Sequence, residues 1–206
     1  MRFVRALDQI LGNASRVAVL RALVHLPRGY AATSREIARR AGVTHPLELS
    51  ALGVLSEQGL LRRHRVGRAD TYELNEAHVL TDLLRRAFAT EETLPDDLVR
   101  FLQEQVAHHA AGAESAYLFG SAATSEMRDG SDIDVALVWP GASAPEIESA
   151  SNAISDSLRQ RYGNDGQVII RTSPVRKGKG AQIWTDILQK GIPLANEQSR
   201  RRPKKC

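Results

Sequence analysis

Apolar residues recur at Val17, Val19, Leu20, Leu23, Val24 and Leu26, close to the i, i+3, i+4, i+7 spacing of a helix with one buried face. The pattern predicts a helix over Ser15–Leu26, stopped by Pro27 and Gly29. Thr33-Ser34-Arg35-Glu36 follows as a capping box, with Thr33 capping and Glu36 reaching back, and opens a short helix, Arg35–Ala41, that ends at Gly42. Thr44 caps the next helix and Pro46 falls in its first turn. Leu47, Leu49, Leu52, Val54 and Leu55 supply its buried side, and Gly59 closes it. The pattern then turns strand-like, with Leu60–Val66 and Thr71–Leu74 on either side of Gly67-Arg68-Ala69-Asp70. Residues 77–112 read as helical and polar, with a break at Thr93-Leu94-Pro95-Asp96. Further on, Ala116–Phe119, Gly130–Val138 and Gly166–Thr172 read as strands, and Pro145–Tyr162 as an amphipathic helix. Ile183, Trp184, Ile187 and Leu188 form the apolar face of a last helix.

Composition narrows the class. Of the 206 residues 42% are hydrophobic and 25% charged, as in ordinary folded proteins, and no apolar run is long enough to span a membrane. The first residues are interrupted by Asp8 and carry no signal-peptide core, so a cytoplasmic chain is expected. The single cysteine, Cys206, allows no internal disulfide and no cysteine-based zinc site. Charge is segregated: residues 1–75 sum to +6 through arginine alone, 76–195 to −6, and the tail 196–206 to +4. A basic head on an acidic body is what a nucleic-acid contact at one end requires.

Short helix, glycine turn, longer helix and basic hairpin form a helix-turn-helix followed by a wing. The stretch SREIARRAGVTHPLELSALGVLSEQGLLRRHRVGRADTYEL resembles winged-helix domains of the arsenical-repressor and multiple-antibiotic-resistance-repressor type. On this reading Thr44, His45, Glu48 and Ser50 project from the recognition helix toward the major groove of double-stranded DNA. Arg62, Arg63, Arg65 and Arg68 would bring the wing to phosphates. His108 and His109 are adjacent on a helix, point different ways, and are read as charges suited to a helix C-terminus rather than as metal ligands.

The chemistry lies further along. An apolar strand ends at Gly120-Ser121, and after ten intervening residues a second strand begins with Asp132 and Asp134. A strand repeats every two residues, so both carboxylates project from one face, with Ile133 and Val135 turned to a core. Paired carboxylates call for a cation, and Mg²⁺ (or Mn²⁺) suits hard oxygen ligands shared with phosphate. Gly120 lets backbone approach a phosphate, Ser121 offers a hydroxyl and an N–H, and a helix beginning over Ala122–Met127 would aim its positive end at the anion.

LFGSAATSEMRDGSDIDVALV is similar to the signature of polymerase-β-type nucleotidyltransferases, in particular their minimal nucleotidyltransferase domains, over residues 110–195. The resemblance implies a nucleoside triphosphate with its β- and γ-phosphates on Gly120-Ser121, metal on the catalytic pair Asp132 and Asp134, and transfer of the nucleoside monophosphate to a hydroxyl. Active members of the family carry a third carboxylate on a later strand. The matching strand here, Gly166–Thr172, has none: Gln167 holds the corresponding position and Asp165 precedes it.

The expected fold is therefore α+β. A winged helix-turn-helix over 1–76 is followed by a helical connector over 77–112, a nucleotidyltransferase domain with a mixed sheet over 113–195, and a basic tail over 196–206. Two functional readings stand. One is a DNA-binding, Mg-dependent nucleotidyltransferase, antitoxin-like or autoregulatory, with a toxin-like protein as possible acceptor. The other is a non-catalytic transcriptional regulator whose second domain senses nucleotide or dimerises. A homodimer is expected by analogy with winged-helix regulators.

Overall fold

The computed structural model describes residues 1–124, 126–128, 130–172 and 181–194. The basic loop Val175–Gly180 and the basic tail 196–206 lie outside these residues. The chain divides into two compact units: an N-terminal unit, Arg5–Thr93, and a C-terminal unit of Met1–Val4 with the residues from Leu94 onward. The architecture is α+β, and no described helix is long and apolar enough to cross a membrane.

The N-terminal unit begins with α1 (Ala6–Ile10) and α2 (Ala14–Val24). Next come a two-residue strand β1 (Ala32–Thr33), α3 (Ser34–Ala41) and α4 (His45–Glu57). A hairpin of β2 (Leu61–Val66) and β3 (Ala69–Leu74) follows, joined by Gly67-Arg68. β1 pairs with β3, making a three-stranded sheet in the order β1-β3-β2. The core gathers Val19, Leu23, Ile37, Leu52, Leu61 and Tyr72 from successive elements, with Phe88. Arg21 is held by Asp8 and Glu91, both at 2.7 Å, and Glu91 also accepts from the Leu7 N–H at 2.8 Å. Burial alone would weaken the Arg21 charge, but hydrogen bonds and charge from Glu91 and Asp8 outweigh it and raise its pKa.

Local signals placed the cap positions, but two of the expected side-chain contacts do not form. Thr44 stands at the N-cap of α4 without a side-chain cap hydrogen bond, and the box at Thr33 is only half made. The Thr33 hydroxyl accepts from the Glu36 N–H at 3.3 Å, and Gly42 ends α3 in the left-handed conformation. The reciprocal half of the box does not form, because the Glu36 carboxylate turns to Arg40 at 2.9 Å. In α4 the buried stripe is Glu48, Ala51, Leu52 and Leu55, at i, i+3, i+4 and i+7. Leu47 and Leu49, expected inside, are exposed because they fall beside that stripe.

One long helix, α5 (Thr81–His109), supplies residues to both units. The break expected at Thr93–Asp96 is absent, and the helix runs through Pro95. An interior proline costs about 3 kcal/mol in lost backbone bonding and clash. In the C-terminal unit Leu98, Leu102 and Val106, spaced at one turn, are all buried. At about 1.5–3 kcal/mol for each large apolar side chain, that burial offsets the proline.

The C-terminal unit holds β4 (Ser115–Phe119), α6 (Gly120–Ala123), β5 (Ile133–Val138) and α7 (Ala144–Tyr162). It ends with β6 (Gly166–Arg171), α8 (Ala181–Lys190) and β7 (Ile192–Pro193). The mixed sheet has the order β6-β5-β4-β7, with β5 antiparallel to β4 and parallel to β6. One sheet face, carrying Leu118, Ile133, Val135 and Leu137, packs with Leu98 and Leu102 and with Ile154 and Leu158 of α7. The α7 helix opens with a complete capping box between Ser143 and Glu146. The apolar face expected for α8 is buried only at Ile187, while Ile183 and Leu188 stay about half exposed. Trp184 lies partly buried, its ring 5.3 Å from the Arg171 guanidinium.

Candidate functional site

Phe119, Asp134 and Gln167 stand in one row across β4, β5 and β6. Neighbours in such a row share a sheet face, the one opposite the buried Ile133 and Val135. Asp132 lies just before β5, exposed, and Asp134 is partly buried. Burial, and then the charge of Asp132, raise the Asp134 carboxyl above the ordinary carboxylate range. The two acids therefore interact through space.

β4 ends directly against this pair. Gly120 has φ +70°, and a Cβ placed on it would overlap the Asp134 Oδ2 and sit 3.1 Å from its Cγ. Only glycine leaves the backbone in this conformation with the carboxylate against it. The helix expected over Ala122–Met127 is instead the single turn α6, which starts at Gly120. It stops because the Glu126 N–H returns to the Ser121 carbonyl at 3.0 Å, a closing bond that ends helices. The loop before Asp132 is tied from both sides. The Arg128 N–H donates to the Ser131 hydroxyl at 3.0 Å, and the buried Asn164 donates to the Ser131 carbonyl at 2.9 Å. Past Asp132, the Ile133 N–H donates to the Asp165 carbonyl at 2.9 Å. Asn164 is a positioning group that the sequence did not signal, since nothing in Gly163-Asn164-Asp165 marks the loop it fastens.

β6 brings no acid to the row. Gln167 stands beside Asp134, and the Asp165 carboxylate is engaged by Arg159 at 2.6 Å. Among the described residues no group of three or more His, Cys, Asp and Glu gathers where a metal could sit. His108 and His109 meet edge to face, with centroids 4.6 Å apart, and burial followed by the His108 charge lowers the His109 pKa.

In the N-terminal unit Thr44, His45 and Ser50 are exposed on α4. Glu48 is not: its side chain is fully buried, and its Oε2 accepts from the Ser34 hydroxyl at 2.9 Å and meets His45 Nδ1 at 3.1 Å. A carboxylate read as outward-facing thus points inward, because Ser34 and His45 supply polar partners there. Burial raises its pKa, against the hydrogen bonds from Ser34 and His45.

The hairpin arginines divide between two faces. Arg63 and Arg65 share a face with Tyr72 and Asp70, their partners across the strands, while Arg62 lies on the other. Asp70 binds Arg63 at 2.6 Å and Arg65 at 3.4 Å, and the hydrogen bond from Arg63 holds its carboxyl below the ordinary range. Arg68 is exposed in the turn. Asp70 went unread because the turn was expected to span Gly67–Asp70. A two-residue turn places it directly across from Arg65.

Residues 102–175 match the family model described as Polymerase beta, Nucleotidyltransferase, a match that supports the nucleotidyltransferase resemblance of this stretch. No curated protein matches the chain. Among solved structures it is similar to human N-acetylserotonin methyltransferase in complex with SAM, at 14% identity and a TM-score of 0.30. That match covers 82% of this chain and 62% of the methyltransferase chain, so the chain spans less than two thirds of that relative. A likeness of that size carries no argument about fold or chemistry.

Proposed function

We propose that the C-terminal unit binds a Mg-nucleoside triphosphate and transfers its nucleoside monophosphate to a hydroxyl, and that the N-terminal unit is a winged helix-turn-helix domain holding double-stranded DNA. The observation that carries the first part is the Asp134 carboxylate set against Gly120, with Asp132 close enough to raise its pKa. A phosphate resting on Gly120 and Ser121 lies beside two carboxylates that gain from a shared cation. The residues fit Mg²⁺ or Mn²⁺ in this form: Asp132 and Asp134 provide two oxygen ligands, and phosphate and water complete the shell. Bound there, the ion would withdraw charge from the phosphate oxygens and steady the attacking and leaving oxygens.

The residues themselves position the reaction. Gly120 and Ser121 hold the β- and γ-phosphates, while Asn164 and Asp165 fasten the chain on either side of Asp132. The acceptor oxygen bonds to the α-phosphorus, the bond from that phosphorus to the bridging oxygen breaks, and pyrophosphate leaves. The hydroxyl proton passes to solvent or to the acceptor's own groups, because β6 offers Gln167 where a base would stand. That same residue supports a second reading, a domain that binds nucleotide without transferring it. Incubation of the full chain with α-labelled nucleoside triphosphates, Mg²⁺ and cell extract separates the two. Label appearing on a macromolecule, and lost with Asp134→Asn, supports transfer. Mg-dependent binding with no labelled product supports the sensor.

The DNA reading draws on the exposed Thr44, His45 and Ser50 of α4 and on the exposed arginines of the hairpin. Binding to a generic duplex should fall with salt, and replacing Arg68 with alanine should reduce the slope by about one unit per lost phosphate contact.

A further inference from the structure

On the same side of the sheet as Asp134, a cavity of about 650 Å³ opens between α6 and α8. Gly120 and Ser121 form one edge of it, Phe119, Ile183 and Ile187 give it apolar walls, and Asp186 of α8 lines it. Among the described residues, neither Asp132 nor Asp134 lines it. The volume falls within the range of about 300–1,000 Å³ typical of small-molecule sites. A triphosphate lying along Gly120-Ser121 would touch the rim and leave the interior unfilled.

We infer that this cavity seats the nucleoside of the bound triphosphate, and that Asp186 accepts a hydrogen bond from a ribose hydroxyl. The inference rests on Gly120-Ser121 being the phosphate edge. A flat base suits the walls of Phe119, Ile183 and Ile187, which bury aromatic surface without demanding one hydrogen-bond pattern. An ionised carboxylate only accepts, and the ribose hydroxyls are donors. Asp186 is half-buried, and among the described residues no hydrogen bond or ion pair engages it. The other acid on the lining, Glu126, is exposed and already accepts from the Thr124 hydroxyl at 3.3 Å.

Calorimetric titration of the full chain with Mg-tripolyphosphate, Mg-ATP, and the 2′-deoxy and 3′-deoxy analogues of ATP tests this. Wild type should bind ATP at least tenfold more tightly than tripolyphosphate, and at least one deoxy analogue should lose tenfold. Asp186→Ala should bring ATP to the level of that analogue while leaving tripolyphosphate unchanged. The wild-type series stands by itself should the variant fold poorly. If tripolyphosphate binds in an Asp132-dependent way and ATP binds no better, the cavity is not the nucleoside site, although the phosphate edge stands. If tripolyphosphate does not bind, or binds equally well to Asp132→Asn, the phosphate edge fails and this inference with it. Unchanged nucleotide binding in Asp186→Ala, or an equal loss for tripolyphosphate and ATP, also overturns the role given to Asp186.

Discussion

Gly120 and Asp134 fit together so closely that a single methyl group on the glycine would displace the carboxylate. The φ of +70° at Gly120 adds a second demand for glycine. Gly120→Ala should therefore cost about 1–2 kcal/mol of stability and also push Asp134 out of place, lowering Mg-nucleotide affinity at least tenfold. Gly163→Ala is the control. Its φ is +69°, and a Cβ there would meet nothing within 4 Å. It should lose similar stability in thermal unfolding yet keep nucleotide affinity. Equal binding losses in the two variants would mean that backbone strain, not the Asp134 contact, is what matters.

Asp70 restrains the hairpin charge. It holds Arg63 and Arg65 in ion pairs on one face. Asp70→Asn should free both, strengthen duplex binding at low salt, and steepen the log K against log salt slope by roughly 1–2 units. An unchanged slope would show that this face does not meet phosphate.

Gly53 sits on the exposed side of α4, and a Cβ there would meet nothing within 4 Å. Gly53→Ala should stabilise the N-terminal unit by about 1 kcal/mol, the helix-propensity difference. If backbone at this position lies close to DNA, the same change should weaken duplex binding. Higher Tm with unaltered affinity would place the contact elsewhere along α4.

Glu48 makes stability depend on pH. Its folded pKa is raised, so the folded chain binds more protons than the unfolded chain as pH climbs past the ordinary carboxylate range. Its contribution is full in acid and declines as pH rises through the raised value. The groups around it are Ser34 at the start of α3, His45 on its own helix, and Tyr72 of β3. Glu48→Gln should approach wild type in acid and exceed it in stability at higher pH, where the buried carboxylate of wild type is ionised, measured by denaturant unfolding at both ends of the range. A variant equally destabilised at both would show that the hydrogen bonds outweigh the buried charge.

Much of this was legible in the chain. Thr33 and Gly42 bound α3 through local chemistry, and a period of two places Asp134 on the face opposite Ile133 and Val135. The strand expected from Gly130, however, starts only at Ile133 and leaves Asp132 just before it. What escaped depended on distant partners. Pro95 reads as a stop until the burial of Leu98, Leu102 and Val106 is known. Glu48 reads as solvated until Ser34, fourteen positions earlier, is found beside it. The cavity joins Ser121 to Asp186, which no local pattern connects.

The central claim is that Gly120, Ser121, Asp132 and Asp134 form a working metal-nucleotide site. Calorimetric titration of each nucleoside triphosphate, with and without Mg²⁺, into wild type and Asp132→Asn tests it most directly. The account predicts Mg-dependent binding to wild type that Asp132→Asn weakens at least tenfold. Absence of binding to wild type, or equal binding by both proteins, would contradict it.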